Sequence, residues 1–80
     1  MSEIFLLRGR LATAQELART LEIGLDTDIE ELRTLADKYE EKTDLRAERI
    51  VVIAHRIEDQ VKSLRKLKQQ IKDLKLDLGE

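Results

Sequence analysis

The chain has 80 residues, of which 40% are charged and 2% are aromatic, and its net charge is -2. It contains one histidine, no proline and no cysteine. A chain this short buries a small core unless a disulfide, a metal or a partner adds to it, and the missing cysteines exclude disulfides and the usual zinc sites. The composition is typical of long helices and predicts an all-α protein that gains stability by oligomerisation. The regular spacing of its hydrophobic residues argues against disorder.

The apolar run at the N-terminus, residues 4–7, is too short for a signal peptide or for a membrane span of roughly twenty residues. We therefore expect a cytoplasmic protein without a membrane partner. Two interpretations of Phe5, Leu6 and Leu7 stay open. They form a small patch for a membrane surface or a partner, or, as we favour, they close the end of a bundle against residues 74–78.

A heptad pattern in the first half predicts a helix over about residues 4–40. One series with a spacing of seven contains Ile4, Leu11, Ala18, Leu25, Leu32 and Tyr39, and Leu7, Ala14, Leu21 and Leu35 lie three residues after four of them. Asp28 is the polar exception. Leu17, Ile29 and Ala36 widen the apolar stripe beyond a two-stranded seam, as expected of a helix in a bundle.

A polar segment with a change of heptad phase predicts a turn at about residues 40–44. Thr43 or Asp44 could cap the next helix, with Glu48 near its positive end. Two alternatives stay open: one uninterrupted helix with a stutter, or a break at Gly24, where Thr27 and Glu30 match a capping box.

A second heptad pattern predicts a helix over about residues 44–78, which makes residues 1–80 one antiparallel, coiled-coil-like helical hairpin. Stripes too wide for one hairpin to cover favour pairing into a four-helix bundle. The predicted core or oligomer seam consists of Ile4, Leu7, Leu11, Leu21, Leu25, Leu32, Leu35, Tyr39, Ile50, Ile53, Ile57, Leu64, Leu67, Ile71, Leu74 and Leu78.

The hairpin sets a register in which residue i lies level with residue 84 minus i. Asp28 then faces Arg56, and Gln60 faces Gly24. Residues 23–62, the turn half, carry 11 acidic and 7 basic side chains. The terminal half is mildly basic: residues 1–22 carry 3 of each, and residues 63–80 carry 3 acidic and 5 basic ones. This polarity favours a head-to-tail homodimer or higher homo-oligomer, in addition to any unknown protein partner.

No motif for a catalytic, cofactor or metal site is present, and we predict that the chain is not an enzyme and needs no cofactor. His55 is predicted to be a surface residue, and adjacent acidic pairs such as Glu30 and Glu31 point about 100° apart on a helix. One basic stripe could contact nucleic acid, although a solvated helix flank explains it better. Its residues are Arg65, Lys68, Lys72 and Lys75.

Three segments resemble short, uncharacterised two-helix proteins of Mu-like prophages. They are Leu6-Leu7-Arg8-Gly9-Arg10-Leu11, Asp44-Leu45-Arg46-Ala47-Glu48-Arg49-Ile50 and Leu76-Asp77-Leu78-Gly79-Glu80. The resemblance implies two helices and a phage setting, and it implies no functional site. The leading hypothesis is a self-associating interaction or scaffold protein, and the alternative is a small nucleic-acid-associated regulator that uses the basic stripe.

Overall fold

Two long helices lie side by side and antiparallel in the computed structural model, which describes residues 3–37, 43 and 45–79. Helix α1 spans Glu3–Asp37 and helix α2 spans Ala47–Asp77. The two pack against each other along a body of 61 × 18 × 15 Å. This arrangement confirms the predicted all-α helical hairpin, and it excludes the alternative of one uninterrupted helix.

Helix α1 continues through Gly24 without a break, so the alternative with a break at this glycine is wrong. Leu21 and Leu25 on either side of Gly24 both turn away from solvent, and their heptad spacing keeps the apolar side of α1 continuous. The Thr27 hydroxyl donates to the Ile23 carbonyl at 3.0 Å, which is the bond of a residue inside a helix and not of a cap.

The start of α2 differs from the predicted one. Arg46 occupies the N-cap position without a side-chain cap, and the Ile50 amide donates to the Arg46 carbonyl at 3.1 Å. Thr43 lies too far before Ala47 to cap this helix, so that prediction is wrong. Glu48 does lie in the first turn, where its negative charge faces the positive end of the helix dipole and stabilises the helix. Asp44, Tyr39 and most of the predicted turn lie outside the described residues.

The hairpin buries only a thin line of apolar side chains between its helices. In the described residues these are Leu11, Ala14, Ala18, Leu25, Ile53 and Leu74, and Ile53 alone is completely buried. Ile4 is 56% exposed. The remaining described seam residues are half-buried: Leu7, Leu21, Leu32, Leu35, Ile50, Ile57, Leu64, Leu67, Ile71 and Leu78. One copy of the chain therefore leaves much of its own seam partly open to water.

Two glycines inside α1 differ in the space around them, and this difference gives a testable prediction. A methyl group added at Gly9 meets nothing within 4 Å, whereas at Gly24 it lies 3.0 Å from Gln60 Nε2. Gly9→Ala should raise the free energy of unfolding by about 0.5–1 kcal/mol, because alanine favours a helix over glycine by that amount. Gly24→Ala should gain less, because Gln60 must move.

Urea titrations followed by circular dichroism at one protein concentration measure both changes. Gly9→Ala is the control for helix propensity, since only its surroundings differ from those of Gly24. An equal gain at the two positions would show that Gln60 does not occupy the space beside Gly24.

Candidate interaction surfaces

The predicted pair between the helices is formed by Asp28 and Arg56. Arg56 Nη2 donates to Asp28 Oδ1 at 3.0 Å, and Asp28 is 7% exposed. Asp28 occupies an apolar heptad position, so its carboxylate lies in the seam and needs a partner to offset the loss of water. The guanidinium of Arg56 reaches it from the solvent side. A one-turn slip of the helices would break this contact, so the pair favours one register.

Glu31 and Arg49 extend this pair into a cluster of four charges. Arg49 Nη2 lies 2.6 Å from Glu31 Oε1, and Arg56 Nη2 lies 3.4 Å from Glu31 Oε2. We call Asp28, Glu31, Arg49 and Arg56 the Asp28 cluster. Partly exposed pairs of this kind contribute little stability individually, but together they favour one alignment of the two helices.

Glu31 and Arg49 are not among the residues predicted from the sequence, where Glu31 counts as one of a solvated acidic pair. A signal was nevertheless present. Asp28 and Glu31 are three residues apart on one helix, and Arg49 and Arg56 are one heptad apart on the other. In the predicted register Glu31 lies level with a point between the two arginines, so two acids face two bases.

Gln60 fills the space beside Gly24, as the predicted register requires. Its Nε2 atom lies 3.0 Å from the position that a Cβ atom at Gly24 would take. Its Oε1 atom is buried and accepts no hydrogen bond from the described part of the protein. Together with Gly24, this side chain forms a short uncharged segment between the Asp28 cluster and the terminal half of the hairpin.

An apolar groove of about 470 Å³ runs along the terminal half of the hairpin. Arg10 and Leu17 in its lining share one heptad series with Gly24 and Glu31, so the groove lies on the same side of the hairpin as the Asp28 cluster. Leu6 and Leu17 lie along it and are 50% and 52% exposed. We call this side the Leu17 face. Its lining consists of Phe5, Leu6, Gly9, Arg10, Thr13, Ala14, Leu17, Leu67 and Gln70.

The terminal apolar run is divided between two places. Leu7 lies beside Asp77 at the open end of the hairpin, where the favoured interpretation put the whole run. Phe5 and Leu6 line the groove of the Leu17 face instead. Residues 5 and 6 therefore extend an exposed apolar surface.

The opposite side of the hairpin carries charge. We call this the Lys68 face; its groove is lined by Gln15, Ala18, Arg19, Glu22, Lys68, Ile71 and Lys75. Lys68 Nζ lies 2.9 Å from Glu22 Oε1. All four residues of the predicted basic stripe, namely Arg65, Lys68, Lys72 and Lys75, are exposed. The stripe therefore contains an acidic side chain from α1 within its groove, which weakens its positive potential.

A local pair on the outer surface of α2 gives a prediction about pH. Lys62 Nζ donates to Glu58 Oε1 at 2.9 Å, and this hydrogen bond, with the attraction between the charges, holds the pKa of Glu58 below its ordinary value. A carboxylate with a lowered pKa stabilises the fold above its unfolded pKa, and this contribution is lost as the pH falls through the folded pKa.

An NMR titration of the Glu58 side-chain carboxyl carbon should therefore show a midpoint below that of an unpaired glutamate. Lys62→Gln should return the midpoint to the ordinary value, while Lys66→Gln serves as the control. His55, which is exposed as predicted, adds a smaller attraction. A midpoint that does not respond to Lys62→Gln would contradict the pair.

Metal ligands and membrane-spanning helices were searched for among the described residues. Across residues 3–37, 43 and 45–79, no three His, Cys, Asp or Glu side chains are grouped as metal ligands. Neither helix has an apolar stretch that could cross a bilayer. The fold and its surfaces define a helical hairpin with one apolar face and one charged face. No protein-family model, curated protein or solved structure matches the chain.

Proposed function

We propose that this protein is a non-enzymatic interaction protein that associates with itself, as a homodimer or a higher homo-oligomer, and serves as a scaffold or adaptor. One observation carries the proposal. The apolar seam predicted from the heptads is only partly covered within one hairpin, and half-buried leucines and isoleucines extend along both helices. An apolar stripe that is wider than one partner helix can cover is typical of helices in bundles with more than two helices.

A second copy is the partner that the chain itself best supplies. The turn half of the hairpin is acidic and the terminal half is mildly basic, so two hairpins placed head to tail join unlike charges at both ends. An isologous interface of this kind forms every contact twice, which makes a two-fold dimer the simplest closed assembly. The product is a four-helix bundle.

Light scattering coupled to size-exclusion chromatography tests the proposal directly. The chain has a mass of 9.3 kDa. At micromolar concentration we expect about twice that mass, and a midpoint of thermal unfolding that rises with protein concentration, because association stabilises only the folded chain. A monomeric mass together with an unfolding midpoint independent of concentration would refute self-association.

The competing proposal is a nucleic-acid-associated regulator that binds through the Lys68 face. Exposed Arg65 and Lys72 beside Lys68 and Lys75 support it, while Glu22 on the same face opposes it. Phosphate binding would weaken steeply with salt, and neutralising the four bases to glutamine would abolish it. We expect no salt-dependent shift of a labelled duplex or single strand at physiological ionic strength.

The setting of the protein rests on the sequence alone. We propose that the protein acts in the cytoplasm, and the resemblance to short two-helix proteins of Mu-like prophages favours a phage setting. Localisation of a tagged chain tests the first of these. A scaffold or adaptor role agrees with both settings.

A further inference from the structure

We propose that the second copy docks antiparallel on the Leu17 face and leaves the Lys68 face in solvent. This inference rests on the proposed self-association and adds to it the interface and its register. Two grooves run along the hairpin, one on each side, and a two-fold dimer uses the same groove of both copies.

The two grooves differ in what association would remove from water. The groove of the Leu17 face contains Leu6 and Leu17, both about half exposed, and one cation, Arg10. The groove of the Lys68 face contains Arg19, Lys68 and Lys75 around Glu22. Burying apolar side chains favours association, whereas burying three cations around one acid costs free energy. The charges of the Asp28 cluster, which also lie on the side of the Leu17 face, are already paired with one another.

Between its groove and the Asp28 cluster, the Leu17 face has a short strip of small or uncharged residues. Helical steps of three and four residues lead from Leu17 through Thr20 to Gly24 on α1, and from Leu67 through Ser63 to Gln60 on α2. Gly24 and Gln60 adjoin the Asp28 cluster at the far end. One copy therefore presents a strip with an apolar part, a small uncharged middle and a charged part.

The antiparallel arrangement brings complementary parts of this strip together. Helix α1 spans residues 3–37, so a two-fold axis close to its middle, between residues 20 and 21, relates level i to level 41 minus i. Leu17 of each copy then lies at Gly24 of the other, which has no side chain of its own and is flanked by the uncharged Gln60. Arg10 falls beside Glu31, which joins a base of the terminal half to the acidic part of the turn half.

The face is also large enough for a specific dimer. The hairpin measures 61 Å in length and 18 Å in width, so one side presents roughly 1,100 Å² in projection. A stable interface of standard size removes about 800 Å² from each partner. Association over most of the length of the hairpin therefore reaches the required area.

Two matched substitutions on α1 test the proposed face. Leu17→Glu places a charge inside the proposed interface, and Ile23→Glu places the same charge on a residue that is 61% exposed and lies on neither groove. Sedimentation measures the dimer dissociation constant for each variant. Leu17→Glu should raise it by at least about 30-fold, the effect of losing a hot-spot residue, while Ile23→Glu should change it by less than about threefold.

The outcomes separate this inference from the proposed function. If the unchanged protein is monomeric, self-association fails and the docking face fails with it. If the unchanged protein is a dimer and Leu17→Glu leaves it intact, self-association stands and the Leu17 face is refuted. Circular dichroism of each variant shows whether the helices persist.

A crosslinking experiment avoids any dependence on the stability of Leu17→Glu. The chain has no cysteine, so Ser63→Cys introduces a single thiol near the proposed two-fold axis, and Arg65→Cys introduces one at the same level on the Lys68 side. A short bismaleimide should link two copies of Ser63→Cys in high yield and leave Arg65→Cys monomeric on a denaturing gel. The reverse pattern would place the interface on the Lys68 face and overturn the proposal.

Discussion

Replacing Ile53 with alanine is expected to lower the free energy of unfolding by about 3 kcal/mol. Ile53 is the completely buried large side chain of the described core, and the apolar residues buried beside it on the hairpin are few. Loss of its outer carbons removes transfer free energy and leaves a cavity, and comparable Ile→Ala changes cost about 2–5 kcal/mol. A small domain whose total stability is of the order of 5 kcal/mol would lose much of its folded population.

Urea unfolding followed by circular dichroism measures this loss, at a fixed protein concentration because the proposed association would add to stability. Val52→Ala is the matched control, since Val52 neighbours Ile53 in the chain and is 48% exposed. We expect the control to cost less than about 1 kcal/mol. Similar losses at the two positions would show that Ile53 is not the centre of the core.

Replacing Arg56 with alanine is expected to cost about 2 kcal/mol. The change leaves the Asp28 carboxylate in the seam without the guanidinium that donates to it at 3.0 Å. Removing one partner of a fully buried pair costs about 3–5 kcal/mol, and the smaller value applies here because Arg56 is itself about half exposed. Arg33→Ala provides the control, since Arg33 pairs with Glu30 at an exposed site on one helix.

The double variant Asp28→Leu with Arg56→Ala separates register from stability. Leucine restores the apolar heptad at position 28, so the double variant should be at least as stable as the original protein, because replacing a buried ion pair by packed apolar groups is often neutral or stabilising. A double variant that is less stable than Arg56→Ala alone would contradict the placement of Asp28 in the seam.

The same double variant reports on the role of the pair. If the pair selects the register, its loss should broaden the distribution of distances between spin labels placed at residues 19 and 65 without loss of helix. A narrow distribution identical to that of the original protein would show that the apolar seam alone selects the register.

The Asp28 cluster links the fold of one chain to its proposed assembly. Its two arginines come from α2 and its two acids from α1, so the cluster forms only after the hairpin has closed in one register. Arg10 of a second copy meets this cluster only when the terminal half lies over the turn half. The charges that align the two helices would therefore also select the antiparallel orientation of the dimer.

Much of the architecture could be predicted from the sequence. Two heptad patterns that change phase across a polar segment predicted two helices, and the sum of 84 for paired residues placed Asp28 at Arg56 and Gly24 at Gln60. These predictions succeed because a period of seven residues keeps one side of a helix in the seam, and a polar residue in that seam needs a partner at the same level.

Other features could not be predicted from the pattern alone. The heptad pattern does not indicate the residue at which α2 begins. The helix begins at Ala47, after the N-cap residue Arg46, whose side chain forms no capping hydrogen bond. Phe5 and Leu6 were expected to close the end of the hairpin together with Leu7, because adjacent apolar residues were treated as one patch. They line the groove instead, since neighbours on a helix point about 100° apart.

By itself, the sequence of this protein determined the helical class and, for a hairpin, the register and most residues of the seam, which depend on periodic burial along a chain without proline. The structure decided for the hairpin over one uninterrupted helix and over a break at Gly24. Only the tertiary structure decided which flank of the seam is apolar and which is charged. That distinction depends on how the helices rotate about their axes as they pack, which places Leu17 beside Leu67 and Glu22 beside Lys68. Side chains far apart in sequence make each surface, so its chemistry exists only after the helices have met.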